Sequence, residues 1–216
     1  QAESTGVVFV RDEIVRADRR DGSFTLYGRG PEMTDGADGL RGTGGETVYR
    51  AKTVLLATGV TDRLPDIPGL IPCLGLTVYI CPDCDGYETS GRATIVLGSG
   101  DSGAKMAATL AYWTRDLTFV NHEQRPVSPE MAERLERLGV VTVNGPIRSV
   151  IAEYDGRFRG VELADGRTIN GERGFVAFGG NKVNTELAEL LGAERHENGH
   201  ILTDPRTKMT TVPGLW

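Results

Sequence analysis

Six residues, Gly98-Ser99-Gly100-Asp101-Ser102-Gly103, join an apolar run from Ala93 to Leu97 to four alanines at helical spacing, Ala104, Ala107, Ala108 and Ala111. A second apolar run, Leu117 to Val120, follows, so residues 93 to 120 have the length and order of a strand, crossover helix and parallel strand. Parallel strands are buried on both faces and need helices to cover them, which commits this part of the chain to an α/β architecture. Within the loop, Gly98 permits a tight turn, Gly100 lets backbone approach a pyrophosphate, and Gly103 lets the helix lie close on the strand. Ser99, Asp101 and Ser102 share the loop, and the helix N-terminus offers backbone N–H groups to an anion. The pattern points to a dinucleotide site.

A dozen residues earlier stands Cys81-Pro82-Asp83-Cys84-Asp85-Gly86. In a Cys-x-x-Cys pair at a helix start, one sulfur can attack a disulfide and its neighbour can resolve the mixed disulfide, and the helix start is expected to favour thiolate. Asp85 either moves the proton that this exchange requires or is an ordinary first-turn acid. A structural zinc site would need a second ligand pair, which His122, His196 and His200 do not supply at a recognisable spacing, so no metal is expected. Cys73, beside Ile71 and Leu74, reads as a small buried hydrophobe rather than a reactive thiol.

The flanks read differently. Val7 to Val10, Ile14 to Ala17, Ser23 to Leu26 and Thr47 to Tyr49 form a β-like series around the Asp21-Gly22 turn, with a glycine-rich insertion from Gly28 to Glu46. Val54 to Ala57 reads as a buried strand ending at Thr58-Gly59. Leu64-Pro65-Asp66-Ile67-Pro68-Gly69 marks a boundary. Pro129 to Leu138 reads as a helix with Ser128 as N-cap, Val140 to Val143 as a strand, and Asp155-Gly156 as a hairpin turn. A strand at Phe175 to Phe178, a helix near Thr185 to Leu191 and a turn at Asn198-Gly199 complete the series. A net charge of -6 over 216 residues excludes a basic nucleic-acid surface. No stretch has the ~20 apolar residues of a membrane span. Three cysteines make no disulfide framework, and the cytosol is the expected location.

Together these motifs resemble the low-molecular-weight thioredoxin reductase family, FAD-dependent pyridine nucleotide-disulfide oxidoreductases that include dithiol oxidases. The likeness runs through Gln1-Ala2-Glu3, Ala57-Thr58-Gly59, Ile67-Pro68-Gly69, Cys81 to Gly86, the glycine loop, Phe175-Val176-Ala177-Phe178-Gly179, Asn184-Thr185 and Val212-Pro213-Gly214. It implies a Rossmann-like nicotinamide-nucleotide domain (71–182) inserted in a partial FAD-binding domain (1–70 and 183–216), with hinges near Ile67 to Leu70 and Gly179 to Asn181. It implies Thr58 and Gly59 near FAD, Gly179 near the cofactors, Cys84 as the flavin-proximal sulfur, Cys81 as the exchanging one, Asp85 as the acid, and a homodimer. The implied partner is a thioredoxin-like protein or a small disulfide or dithiol. Alternatives are a dithiol oxidase using oxygen, or a non-catalytic nucleotide-binding fragment.

The chain departs from the family at two places. It resembles an internal portion, without the family's first glycine loop and closing Gly-Asp motif. Where NADPH-using members carry His-Arg-Arg, this chain has Asn121-His122-Glu123, which removes two phosphate partners and adds repulsion, so that NADPH, NADH or another electron source all stay open. Glu123 stands about 20 residues after the loop, where an acid usually binds the ribose. It either does so or is a solvated charge, with Arg125 near enough to offset it.

Overall fold

Asp21 and Gly22 both have positive φ, 50° and 74°, the geometry of a two-residue hairpin turn whose twist matches its strands. In this computed structural model, which describes residues 6–30 and 46–216, that turn joins β1 (Ile14–Arg20) to β2 (Ser23–Gly28). β3 (Thr47–Ala51) pairs antiparallel with the other edge of β2. Gln1-Ala2-Glu3 and most of the Gly28 to Glu46 insertion lie outside the described residues. A short β4 (Val60–Thr61) follows.

The chain then builds β5 (Val78–Tyr79), α1 (Pro82–Asp85), β6 (Thr94–Gly98), α2 (Gly100–Leu110), β7 (Leu117–Asn121), α3 (Pro129–Arg137) and β8 (Val141–Asn144). β9 (Ile147–Ala152), β10 (Phe158–Leu163), β11 (Thr168–Asn170) and β12 (Arg173–Ala177) come next, and β13 (Lys182–Val183) and α4 (Glu186–Leu190) end the series. Two compact units result: Gln1–Thr61 with Lys182–Trp216, and Asp62–Asn181.

In the first unit, Phe24 of β2 is fully buried among Ala17, Val54, Ala188, Leu191, Val212 and Leu215. Its two chain segments are stitched by β4 pairing with β13 and by Val54 bridging Leu215. In the second unit, β5-β12-β6-β7-β8 form one parallel sheet. All five residues of β6 are buried, as a central parallel strand requires. Its alternation sends Val96 toward Ala104, Ala107, Phe119 and Phe175 under α2. Ile95 and Leu97 face Val150, Phe158, Val161 and Leu163, which belong to the antiparallel sheet β11-β10-β9. The mixed α/β class with its Rossmann-like parallel sheet is thus realised, and the three-layer unit opens its strand ends at Gly98, Asn121 and Ala177.

Three readings of the sequence need correction. Val7 to Val10 forms no strand, because a strand needs a ladder partner and none exists among the described residues; Val8 and Phe9 are 82% and 68% exposed. Val54 to Ala57 is not a buried strand: Val54 makes a single bridge and Leu55 is 76% exposed. Ser128 precedes α3 but its hydroxyl makes no cap; its N–H donates instead to Asp101 Oδ1 at 2.7 Å.

α2 lies close on the sheet. A Cβ on Gly103 would lie 2.3 Å from the Phe119 ring, and one on Gly98 would lie 2.7 Å from Gly103 Cα. Gly103→Ala should therefore lower stability by about 1–3 kcal/mol through overpacking, measured by denaturant unfolding, and Phe119→Leu in the same chain should return part of that loss.

Candidate functional site

Asn121 ends β7 and is 2% exposed. Its Oδ1 accepts the Gly100 N–H at 2.9 Å, and its Nδ2 donates to Arg125 O at 2.8 Å and to Asn144 Oδ1 at 2.9 Å. One buried amide therefore ties the glycine loop to the segment after β7 and to the end of β8. Its polar atoms are committed inside the protein, which makes Asn121 a positioning residue for the loop. The Gly100 N–H is likewise taken, so the first turn of α2 presents the N–H groups of Asp101 and Ser102.

The loop fits a nucleotide pyrophosphate. Gly98 and Gly103 are in the direct contact that draws the helix onto the strand ends. Ser99 is 2% exposed, and its Oγ makes no hydrogen bond within 3.5 Å among the described residues, although it lies near enough to the Glu123 carboxylate to help hold that group ionised. Gly179, with φ +67°, packs so near that a Cβ would meet Ser102 Oγ at 2.4 Å. Ser102 and Gly179 line a cavity of about 360 Å³ with Lys105, Met106, Thr109, Ile80 and, from the dithiol turn, Pro82. Lys105 escapes sequence reading because it lies past the loop, on the exposed side of α2.

Glu123 is held by two guanidinium groups. Arg63 grips both its oxygens, and Arg125 Nε lies 3.1 Å from Oε2. The Arg63 hydrogen bond is the main reason that its carboxyl falls to about 2, so it is ionised at any working pH. Glu123 is thus a paired charge, and with two guanidinium groups on one carboxylate the cluster carries a net positive charge. Arg63, sixty residues earlier in the chain, had no signal in the sequence.

His122 commits one ring nitrogen inside the protein. Its Nδ1 accepts the Ile147 N–H at 2.8 Å and its ring stands edge-on to Phe178. Burial, the largest effect, lowers its pKa, which keeps Nδ1 free to accept.

The dithiol turn departs from expectation. Cys81 is the N-cap of α1, Cys84 is exposed, and both are free thiols. Cys84 is pushed up, not down, first by its hydrogen bond with Cys81, then by desolvation and by negative charge on Cys81, Asp85 and Asp83. A one-turn helix carries too little dipole to overcome two adjacent carboxylates. Asp85 is half-buried, and its N–H donates to Cys81 O at 3.0 Å. Gly86 is required here: a Cβ would lie 2.7 Å from the Trp113 ring, so the turn rests flat on the residues that follow α2. Cys73 is fully buried, its Sγ directed at Gly69 O. Among the described residues no cluster of His, Cys, Asp and Glu could hold a metal, and no helix is long and apolar enough to cross a membrane.

In the first unit, Thr58 donates from Oγ1 to Asn184 O, and Asn184 Nδ2 returns a bond to Thr58 O at 3.1 Å. Gly59, with φ +66°, has nothing within 4 Å of a would-be Cβ. Thr58 and Gly59 present an exposed turn and no enclosing cradle, so the described residues do not by themselves fit a flavin.

Iodoacetamide labelling of Cys84, followed by peptide mass spectrometry from about pH 6 to about pH 10, should give a midpoint above the ordinary thiol range. Cys81→Ala should lower that midpoint more than Asp85→Asn does. For His122, the depressed pKa means that its contribution to stability is present above the unfolded value of 6.5 and is lost as pH falls through the folded value. The melting temperature should therefore drop further between about pH 7 and about pH 5 in the parent than in His122→Asn, whose amide oxygen can still accept the Ile147 N–H.

A family model described as pyridine nucleotide-disulphide oxidoreductase matches residues 3–216. A thioredoxin reductase of Mycolicibacterium smegmatis is 28% identical over 182 residues, covering 80% of this chain and 57% of its own length. A NADH dehydrogenase of Bacillus subtilis is 32% identical over 176 residues, covering 78% of this chain and 34% of its own length. The crystal structure of HlmI is similar with a TM-score of 0.80 at 29% identity, over 99% of this chain and 63% of HlmI. The chain thus spans less than two thirds of the length of these relatives. With the match running through almost every residue, the chain belongs to the pyridine nucleotide-disulphide oxidoreductase family.

Proposed function

We propose that the protein is a disulfide oxidoreductase of thioredoxin-reductase type, with electrons passing between a nicotinamide nucleotide and a substrate disulfide through Cys81 and Cys84. The observation that carries this reading is the single cavity lined both by Ser102 of the glycine loop and by Pro82 of the dithiol turn. The nucleotide would supply a hydride, and the family implies FAD as a further cofactor.

The chain's own residues divide the work. Asp101 and Ser102 N–H groups receive the pyrophosphate, and Asn121 fixes their loop. At the dithiol, the Cys81 thiolate attacks one sulfur of the substrate disulfide, and the other leaves as a thiolate that takes a proton. Cys84 loses its proton to Asp85 and attacks Cys81 in the mixed disulfide, releasing the second substrate thiol and leaving Cys81 and Cys84 joined. The raised Cys84 pKa suits a resolving sulfur, which stays protonated until its neighbour has reacted. A thioredoxin-like protein disulfide is the proposed substrate, in keeping with the relatives named thioredoxin reductase.

NADH is the proposed donor. Glu123 occupies both guanidinium groups that would otherwise receive a 2′-phosphate. Glu123→Gln should release them and improve the NADPH to NADH ratio of kcat/KM by about tenfold. The decisive assay is NADH-dependent reduction of oxidised thioredoxin by the FAD-loaded protein. Cys81→Ser and Cys84→Ser should each abolish turnover with nucleotide binding unchanged; turnover retained in both variants overturns the proposal, and oxygen consumption with a small dithiol in place of thioredoxin would identify an oxidase.

A further inference from the structure

At the other end of the parallel sheet from the glycine loop lies a cleft of about 390 Å³ lined by Thr77, Arg92, Arg157, Arg159, Glu172 and Arg173, with Phe158. Arg173 begins β12 and Ala177 ends it, so four strand steps, about 13 Å, separate this cleft from the nucleotide loop. Four guanidinium groups from three parts of the chain converge on it: Arg92 just ahead of β6, Arg157 and Arg159 at the start of β10, and Arg173.

Their partners leave donors over. The Arg173 side chain is 14% exposed; its Nη2 reaches Glu88 only at 3.5 Å, and Nη1 donates to Glu172 O at 3.0 Å. Its Nε–H is buried with no partner among the described residues, an unusual state for a group that is always charged. Arg157 is oriented by Asp155 at 2.8 Å and Arg159 by Glu153 at 2.6 Å. Those carboxylates stand outside the lining and hold the guanidinium groups in place, while each fork keeps further N–H donors. Glu172 is the one acid in the lining, against four arginines.

We propose that this cleft is a binding site for a small oxyanion of phosphate or carboxylate type, separate from the dinucleotide site. Planar guanidinium forks from different strands match the paired oxygens of such groups. The acids behind the arginines limit affinity to the weak range suited to an abundant metabolite. The inference stands independently of the redox reading, since it uses neither the glycine loop nor the thiols.

Isothermal titration with inorganic phosphate and, separately, with succinate, at ionic strength held constant with sodium chloride, tests it. The parent should show saturable one-site binding of at least one of the two, and the preferred arm distinguishes phosphate from carboxylate. Arg92→Gln and Arg159→Gln, both at exposed positions, should each weaken that binding about tenfold, and Arg134→Gln on α3 should not change it. Absence of saturable binding to either anion, or equal binding by all variants, overturns the proposal.

Discussion

The Asn121 side chain is the constraint on which the rest of the site depends. A buried primary amide must satisfy its donors and acceptor internally, and Asn121 does so by joining three segments: the first turn of α2, the Arg125 backbone and the end of β8. With that amide in place, Gly98 and Gly103 settle against Ala177 and Phe119, and the remaining first-turn N–H groups face outward. Asn121 is therefore a piece of scaffold that sets the loop's geometry.

Electrostatics organise the glycine loop and the dithiol turn of the second unit differently. Near the loop, Glu123 is ionised and doubly paired. At the dithiol, the hydrogen bond with Cys81 and then burial and the charges of Cys81, Asp85 and Asp83 oppose thiolate formation on Cys84. The turn's position comes from packing instead: Gly86 lies flat on Trp113, and Thr89, fully buried, returns a hydrogen bond to Gly86 O at 2.7 Å. The reactive pair is thus held by a steric contact that tolerates no side chain, while its chemistry is tuned by the acids beside it.

Much of this was legible in the residues. The apolar run before the glycine loop and the alanines after it specified β6 and α2, because burial on both sheet faces and on one helix face leaves direct periodic marks. The hairpin at Asp21-Gly22 and the burial of Cys73 were local matters and could be read locally. What escaped depended on distance. Arg63 meets Glu123 only after the sheet has formed, Asn121 finds Asn144 across a strand, and His122 becomes an acceptor for Ile147 through a contact no motif encodes. Val7 to Val10 has a strand's composition yet lacks a ladder partner among the described residues, since composition specifies a preference and pairing completes it. The helix start that promised an acidic thiol proved one turn long, too short to outweigh the carboxylates next to it.

The glycine loop and the dithiol turn meet at one cavity through Ser102 and Pro82. The most direct measurement is the rate of alkylation of Cys81 and Cys84 in the reduced protein, without nucleotide and with saturating oxidised NAD, which cannot itself donate a hydride. Nucleotide on the glycine loop should extend into the cavity beside Pro82 and slow alkylation of the pair severalfold, with Cys73 silent in both states. An unchanged rate at concentrations shown to saturate binding would contradict the shared cavity and with it the coupling of nucleotide and dithiol.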